Sequence, residues 1–347
     1  HWNKTVVEGL DVLDPITRVL DMSRIGPVLT FEDEAVRKGP PVTAMLVQNT
    51  NPAVVAPDTN RVLKGLKRDD LFLCVHEQFL TETAQLADII LPATMFLEHD
   101  DIYQAGGHMH LQIHRAVIEA PEQTRSNHWV INELAKRLGA QHPGFGMTEW
   151  ELIDKTLLDS GWPSADALLE QKWYDVQPSF ADSHFLNGFP TSTGRFQFSA
   201  DWSKLGPLGS KLPNYPDHCD NIDSATAEKP FRLITSPARN YLNTSFTETP
   251  TSKRKEVRPT VKIHPDAASQ LCLEDGDKVR LGNEQGSVVL NVSIFSGLQT
   301  NVVVVESVWP NSAFEEGVGI NTLISAEAGP PNGGAVFHDT AIWIKPA

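Results

Sequence analysis

Three short runs of unbroken apolar residues constrain the fold of this chain most strongly. They are Ala44–Val47, Leu71–Val75 and Ile89–Leu91; polar residues follow the first two, and Pro92 closes the third. A strand with one solvent-exposed face alternates apolar and polar residues. An unbroken apolar strand is instead typical of a parallel sheet that helices cover on both faces. Helical patterns at Asn60–Lys67 and Glu82–Ala87 separate the runs. The sequence therefore predicts an α/β region with a parallel sheet.

The last third of the chain has a different pattern, with many short strands separated by turn signals. Gly, Asn and Asp cluster in Glu274–Asp277 and in Gly282–Gly286. Such spacing predicts a closed barrel or a sandwich. The six predicted strands are Phe231–Ile234, Thr260–Ile263, Lys278–Leu281, Ser287–Val292, Asn301–Glu306 and Ala341–Ile344.

The middle of the chain is predicted to be helical and then irregular. Residues 126–159 carry an apolar stripe at helical spacing, with Ser126 as the N-cap and Gly139 as a stop signal. Residues 160–228 are rich in Pro, Gly, Ser and Asp. We therefore expect a long irregular connection there, which marks a boundary between domains.

The charge and the cysteine content exclude several classes of protein. The chain has 29 Lys+Arg against 44 Asp+Glu, a net charge of −15. This acidic balance argues against nucleic acid and against an anionic membrane surface as partners. No apolar run approaches the roughly 18 residues that span a bilayer, so we expect no membrane insertion by this segment. Cys74, Cys219 and Cys272 are too few and too far apart for a disulfide framework, structural zinc or a protein-bound iron–sulfur cluster.

The first residues, His1–Lys4, do not lead into a signal peptide, and the chain begins without Met. We expect a piece of a longer polypeptide or a processed product. We expect a cytoplasmic location, and a periplasmic one stays open because a targeting signal can lie upstream.

Self-contained catalytic motifs are absent from the sequence. It has no G-x-S-x-G elbow, no Walker loop and no H-E-x-x-H. The first strand ends in Asn49–Pro52, which lacks the glycines of a dinucleotide fingerprint, and this disfavours an ordinary nicotinamide-binding domain. His108, His110 and His114 leave three interpretations open: a metal site, a polar loop beside a ligand cleft, or a solvated surface.

Polar loops at the ends of the predicted strands are the most informative feature. Asn51 and Pro52 follow the first strand, and His76 and Glu77 follow the second. Ligands of open α/β sheets bind beyond the carboxyl ends of the strands. The carboxylate of Glu77 suits the adjacent N1–H and amino donors of a guanine. We therefore expect a ligand site at this edge.

Two stretches carry a resemblance to a known family. Residues 81–93 contain T-E-T-A followed by A-D-x-x-L-P-A, and Glu98 comes after them. This segment resembles the molybdopterin oxidoreductases of the dimethyl sulfoxide reductase and formate dehydrogenase superfamily. Residues 260–268, 274–279 and 286–288 resemble the C-terminal molybdopterin-dinucleotide-binding domain of the same superfamily. Residues 193–196 and 319–323 continue the match in the order that the family uses.

The resemblance implies a domain plan and a cofactor. Residues 1–120 would form part of an α/β domain, residues 121–228 a helical and irregular connection, and residues 229–347 a six-stranded double-psi β-barrel. The implied cofactor is bis-molybdopterin guanine dinucleotide with molybdenum or tungsten. The whole enzyme would carry out a two-electron oxidation or reduction, often an oxygen-atom transfer.

The resemblance also implies cofactor-binding residues by motif position. Arg239 suits a pyrophosphate, because guanidinium presents a planar fork of donors. In the α/β part the implied residues are Asn51, Pro52, His76, Glu77, Thr81 and Thr83. In the barrel they are Ser236, Arg239, Asn243, Thr244, Asn321 and His338.

Two departures from the family limit what the resemblance implies. The stretch Asp100–His108 lacks the pattern of the commoner members and resembles a branch with a Gly-His pair, so no particular substrate follows. The family's N-terminal domains, which carry the protein ligand of the metal and any iron–sulfur cluster, have no counterpart in this sequence. We therefore expect no catalytic residue here and no turnover by this chain alone. The implied partners are those N-terminal domains and an electron-transfer subunit. The alternative is a stand-alone, non-catalytic cofactor-binding subunit of a multi-chain enzyme.

Overall fold

A computed structural model describes residues 20–37, 39–199, 201–205, 207–215, 217–219 and 223–347. The initial segment His1–Lys4, which does not lead into a signal peptide, lies outside these residues. Within the described ranges, no helix is both long and apolar enough to cross a membrane.

The α/β unit contains a three-stranded parallel sheet with the strand order β1-β2-β3. Its core includes Val47, Leu73 and Val75 from the strands together with Leu29 and Val62 from the helices. The α/β prediction is therefore confirmed. The elements are α1 Ile25–Leu29, α2 Glu34–Arg37, β1 Ala44–Gln48, α3 Pro52–Val55, α4 Thr59–Leu66, β2 Phe72–Glu77 and β3 Ile89–Pro92, with a 3₁₀ turn at Ala84–Leu86.

The second face of this sheet differs from the expectation that both faces are covered. Leu46, Cys74 and Ile89 form a row across the three strands on that face. Ile89 is 45% exposed, and Phe72, on the same face of β2, is 52% exposed. The described residues thus leave apolar strand surface uncovered, which is unusual for a parallel sheet.

The middle unit has its own small core around an antiparallel sheet with the order β4-β5-β6. Leu111 and Ile113 of the sheet pack on Leu157 and Leu168 of the helices. The elements are β4 Asp101–Gln104, β5 His110–His114, α5 Asn127–Leu138, α6 Glu149–Asp159, α7 Ala165–Gln171, β6 Tyr174–Asp175 and α8 Phe180–Ser183.

The helix boundaries of this unit were partly predictable. The Ser126 hydroxyl accepts a hydrogen bond from the Trp129 N–H at the start of α5, and Gly139, with φ of 68°, ends the helix as expected. The prediction of an irregular connection over residues 160–228 is wrong for residues 165–171, 174–175 and 180–183, which form α7, β6 and α8. The buried side chains of Ala165 and Leu168 hold α7 against the sheet.

The third unit is a closed six-stranded barrel with the order β10-β8-β11-β7-β12-β9. Two neighbouring pairs, β10–β8 and β11–β7, are parallel, and the others are antiparallel. All six predicted strands are present, which confirms the barrel. The elements are β7 Phe231–Ser236, α9 Pro250–Glu256, β8 Thr260–Ile263, α10 Pro265–Gln270, β9 Lys278–Gly282, β10 Ser287–Ile294, β11 Val302–Glu306 and β12 His338–Pro346.

Alternating burial along the barrel strands explains why these residues close into a barrel. Val261 and Ile263 of β8, and Val303 and Val305 of β11, are fully buried, while their neighbours in each strand are only half-buried. Residues that alternate in a strand point to opposite sides of the sheet, so one set fills the barrel interior.

The segment between β11 and β12 forms hydrogen bonds that connect the barrel to the α/β unit. The side-chain amide of Asn311 donates to the Ala53 carbonyl oxygen at 2.8 Å. The amide of Asn321 donates to the carbonyl oxygens of Val54 at 3.1 Å and of Val55 at 3.0 Å. We call these contacts of Asn311 and Asn321 with residues 53–55 the seam, because they fix the barrel against α3.

Two further contacts support the seam. The Glu82 carboxylate accepts hydrogen bonds from the backbone N–H groups of Asn311 at 3.2 Å and of Ser312 at 3.0 Å. The N–H of Asp58 donates to the Ile324 carbonyl oxygen at 2.9 Å. Backbone groups that would otherwise be buried without partners are therefore satisfied between the two units.

Candidate functional site

A cavity of about 820 Å³ lies between the α/β unit and the barrel. This volume falls within the range of small-molecule and cofactor sites. Most of its lining is apolar, with a few polar side chains from both units. Those polar and loop residues include Gln48, Thr50 and Pro52 from the end of β1, and Ser236, Ser307 and Asn321 from the barrel.

The cavity brings together five of the residues that the sequence predicted for the site. Pro52 begins α3 just beyond the carboxyl end of β1. Asn321 lies in a 3₁₀ turn at Ile320–Leu323, and Ser236 and His338 lie at the ends of the paired strands β7 and β12. The cavity wall contains Pro52, Ser236, Asn243, Asn321 and His338.

Asn51 and Thr83 are not among the residues that line the cavity, and their polar atoms contact each other. The Thr83 hydroxyl donates to Asn51 Oδ1 at 2.7 Å, and the Thr83 N–H donates to the same oxygen at 3.2 Å. The Thr83 oxygen also accepts from the Ala53 N–H at 3.0 Å. Both side chains are buried, so in this structure they hold α3 against the segment after β2.

His76 is fully buried at the end of β2. Its Nδ1 lies 3.2 Å from the amide nitrogen of Gln48, and its Nε2 lies 3.0 Å from the carbonyl oxygen of Arg125. Burial lowers the pKa of His76 below its ordinary value because the interior disfavours the charged ring. The neutral imidazole therefore connects β1, β2 and the chain before α5.

Glu77 and Thr81 follow His76 in the sequence, and their side chains accept hydrogen bonds from nearby backbone N–H groups. The Glu77 carboxylate accepts a hydrogen bond from the Gln78 N–H at 2.7 Å. Burial raises the pKa of Glu77 because the charged carboxylate loses solvent. The Thr81 hydroxyl accepts from the Ala84 N–H at 3.2 Å and stabilises the 3₁₀ turn.

Arg239 and Thr244 of the predicted barrel loop do not line the cavity. The Arg239 side chain is exposed, and the Thr244 carbonyl oxygen accepts a hydrogen bond from the Thr247 hydroxyl at 2.7 Å. The roles of Arg239 and Thr244 as cofactor ligands stay predictions, as do those of the other residues predicted for the site.

Asn321 and Ser307 belong to the cavity wall, and each has a buried side-chain oxygen, Oδ1 and Oγ respectively, without a hydrogen-bond partner among the described residues. Because the Asn321 amide nitrogen donates to two carbonyl oxygens, the orientation of the amide is fixed and Oδ1 is free to accept. Unpaired buried polar atoms are costly, and a hydrogen-bonding ligand that reached these two oxygens would offset that cost. The donors of a pterin or guanine edge fit such acceptors.

The three histidines near β5 do not form a metal site in the described part of the chain, where no group of metal-ligating side chains is present. His114 bonds to the Tyr103 hydroxyl at 2.9 Å, and the ring of His110 packs edge-on against Trp173. Nδ1 of His108 accepts from the backbone N–H of His110.

A larger groove of about 1030 Å³ runs beside α5 and α6, and several polar groups in its walls already have partners within the groove. Arg115 pairs with Asp100 at 2.8 Å and lies 3.6 Å from the centre of the Trp150 ring. His128 contacts the Met147 carbonyl oxygen at 2.8 Å. The cavity between the units is therefore the stronger candidate for a ligand site.

Sequence reasoning missed Gln48, Thr50 and Ser307 in the cavity and Asn311 in the seam. Gln48 and Thr50 come shortly before the predicted Asn51. Their position at the end of a strand could have identified them as candidates for the ligand site. Ser307 and Asn311 belong to none of the motifs that we identified, so only the folded chain shows them.

The fold and the cavity define a two-part ligand-binding protein, in which the carboxyl end of a parallel sheet faces a barrel. A family model described as molybdopterin oxidoreductase matches residues 28–137, and one described as molybdopterin dinucleotide binding domain matches residues 231–341. Together they cover more than half of the chain. The chain belongs to the molybdopterin oxidoreductase family.

Individual relatives agree with this family. The chain is 30% identical to the probable oxidoreductase YoaE of Bacillus subtilis, over 99% of this chain and 49% of the relative. It is 26% identical to the dimethyl sulfoxide/trimethylamine N-oxide reductase of Rhodobacter capsulatus, over 91% of this chain and 42% of that protein. The chain thus spans about half or less of these relatives' length.

A solved structure supports the fold. Acetylene hydratase from Pelobacter acetylenicus superposes with a TM-score of 0.76 at 18% identity, covering 95% of this chain and 47% of that one. At this identity the likeness supports the arrangement of sheet and barrel.

Proposed function

We propose that this chain is the C-terminal, cofactor-binding part of a molybdenum or tungsten oxidoreductase. It would bind molybdopterin guanine dinucleotide in the cavity between the α/β unit and the barrel. The observation that carries the proposal is the apolar cavity of about 820 Å³ with the free acceptor Asn321 Oδ1 in its wall. When bound, the cofactor would supply two-electron redox chemistry, which includes oxygen-atom transfer.

The residues of the cavity suit an extended pterin nucleotide. Asn321 would accept from a ring N–H or an amino group, and Ser236, Asn243 and His338 would contact the same ligand from the barrel. Pro52 begins α3 and shapes the opposite wall. A few polar groups in an apolar cavity fix the orientation of a ligand.

The remaining predicted residues would contact the nucleotide outside this cavity. Glu77 would pair with the guanine edge and Arg239 with the pyrophosphate. Contacts with the same nucleotide are also proposed for Asn51, His76, Thr81, Thr83 and Thr244. We propose two bound dinucleotides per enzyme and domain limits at residues 120 and 228, as the sequence predicted.

We also propose that the uncovered sheet face packs against further domains of the enzyme. Phe72 and Ile89 expose apolar surface there, and the relatives are about twice as long as this chain. Those domains would carry the protein ligand of the metal and any iron–sulfur cluster, and an electron-transfer subunit would complete the enzyme. We expect no turnover by this chain alone.

The test is metal and pterin analysis of the full-length protein from cells that make the cofactor. We expect molybdenum or tungsten together with a fluorescent pterin after denaturation. Asn321→Ala should lower the pterin content more than Asn311→Ala, because both remove seam contacts but only Asn321 lines the cavity.

Full-length protein without metal and pterin would contradict the proposal. A nicotinamide cofactor in place of the pterin would favour an ordinary dehydrogenase instead. A protein that holds the pterin but needs a separate catalytic chain for turnover would support the alternative of a non-catalytic subunit.

A further inference from the structure

Ser307 has a backbone conformation that serine rarely adopts. Its φ is 75°, in the left-handed region where glycine is favoured. The residue follows directly after β11, and its N–H donates to the Ser236 carbonyl oxygen at 2.8 Å. This hydrogen bond belongs to the last pair of the parallel ladder between β11 and β7, Glu306 with Ser236, and it holds the backbone of Ser307 beside the end of β7. The pairing of the strands therefore imposes the strain.

The side chain of Ser307 adds a second unfavourable feature. The residue is 4% exposed, and its hydroxyl oxygen has no hydrogen-bond partner among the described residues. A buried hydroxyl without a partner destabilises a protein relative to no hydroxyl. Glycine would remove both the strain and the unpaired hydroxyl. Serine at this position is therefore unfavourable for the stability of the empty protein.

Ser307 lines the same cavity as Asn321, whose Oδ1 is the other unpaired buried oxygen of the wall. The two residues come from different segments, the end of β11 and the turn at Ile320–Leu323. Val308 and Phe337 provide apolar wall nearby, so the polar atoms available to a ligand are few. Strained residues are over-represented where a protein holds a ligand.

We propose that Ser307 is a binding residue for the cofactor and that its hydroxyl forms a hydrogen bond with a fused heterocycle that has both donor and acceptor edges. Asn321 Oδ1 would accept from an N–H of the same ligand, and the Ser307 hydroxyl would donate to a ring nitrogen or carbonyl or accept from an amino group. This proposal rests on the proposed function and adds a residue that no motif indicated. The bound ligand would satisfy both oxygens that the empty wall leaves unpaired.

The test compares Ser307→Ala and Ser307→Gly in the full-length protein from cells that make the cofactor. Cys272→Gly is the matched control, because Cys272 also lies in the barrel with a positive φ, of 55°, but is exposed and does not line the cavity. The measurements are fluorescent pterin per chain, the rate of pterin release on warming, and the melting temperature of protein from cells that cannot make the cofactor.

Both Ser307 variants should release pterin about two- to tenfold faster than wild type, the range for one lost hydrogen bond. Cys272→Gly should release it at the wild-type rate. Without cofactor, Ser307→Gly and Cys272→Gly should both melt at a higher temperature than wild type, because glycine relieves the positive φ.

Three results separate the explanations. Wild-type protein without pterin would overturn the proposed function itself. Wild-type protein that retains pterin while both Ser307 variants release it at the same rate would overturn the role of Ser307 alone. A lower melting temperature of cofactor-free Ser307→Gly would also overturn it, because serine would then be required for folding.

Discussion

Asn311 allows the energy of the seam to be measured. Its side chain is buried, its amide donates to the Ala53 carbonyl oxygen at 2.8 Å, and its Oδ1 accepts from the Gly319 N–H at 2.7 Å. Asn311→Ala removes both partners at once. The carbonyl of Ala53 and the N–H of Gly319 then stay buried without hydrogen bonds, in two different units of the molecule.

The size of the effect follows from these two contacts. Leaving one buried polar group unpaired costs about 1–3 kcal/mol, so two such groups predict a loss of about 2–6 kcal/mol in the free energy of unfolding. Asn291→Ala is the control. The Asn291 amide makes one hydrogen bond, to the Gly276 carbonyl oxygen at 3.0 Å, in a half-buried part of the barrel away from the seam. The control should lose about 1 kcal/mol.

Urea unfolding followed by tryptophan fluorescence measures both variants. Trp309 lies two residues before Asn311 and is buried in the barrel core, so its emission reports on this region. An Asn311→Ala loss no larger than that of Asn291→Ala would refute the argument that the seam depends on these hydrogen bonds.

Three further predictions concern buried groups of the α/β unit and its contact with the barrel. Burial lowers the pKa of His76 below 6.5, so the unfolded chain binds a proton more readily than the folded one. The contribution of His76 to the free energy of unfolding should therefore be largest above pH 6.5 and be lost as the pH decreases, and His76→Gln should flatten the decrease below about pH 6.5 in urea titrations. Thr83→Val should lower the free energy of unfolding by about 2 kcal/mol, because Asn51 Oδ1 loses its hydroxyl donor, whereas Thr83→Ser should stay near wild type in the same titrations. Gly286→Ala should lower the melting temperature, because its Cβ would lie 2.6 Å from the buried Thr322 side chain; a wild-type melting curve would contradict this.

The barrel was predictable from the sequence because its signals are local. Strands such as Thr260–Ile263 and Lys278–Gly282 are short segments with β-branched or apolar residues, and turn residues bound them. The predicted bounds of each strand agree with the observed bounds to within one residue. The helix at Ala165–Gln171 was missed because it lies in a region rich in Pro and Gly. Its stability depends on tertiary contacts of Leu168 that no local pattern contains.

The site was less predictable than the fold. Motif positions indicated Asn321, and the structure places it in the cavity wall with a free acceptor. The same motifs indicated Asn51 and Thr83, whose polar atoms bond to each other in this structure. Side-chain types do not reveal which partner a polar atom finds, because the partner depends on segments that lie far apart in the sequence.

The strand order of the barrel has a consequence for how this protein is made. The last strand, β12, must pair with both β7 and β9 before the barrel closes, and the Arg232–Asp339 ion pair joins residues 107 positions apart. The chain loses conformational entropy when it closes loops of this length, and it does so before the strand pairings can stabilise the barrel. We therefore expect slow, all-or-none folding of the barrel. Because His338, the first residue of β12, lines the cavity, the site is complete only when that strand docks. During synthesis on the ribosome, a ligand that needs the whole cavity would therefore enter after the final strand has emerged.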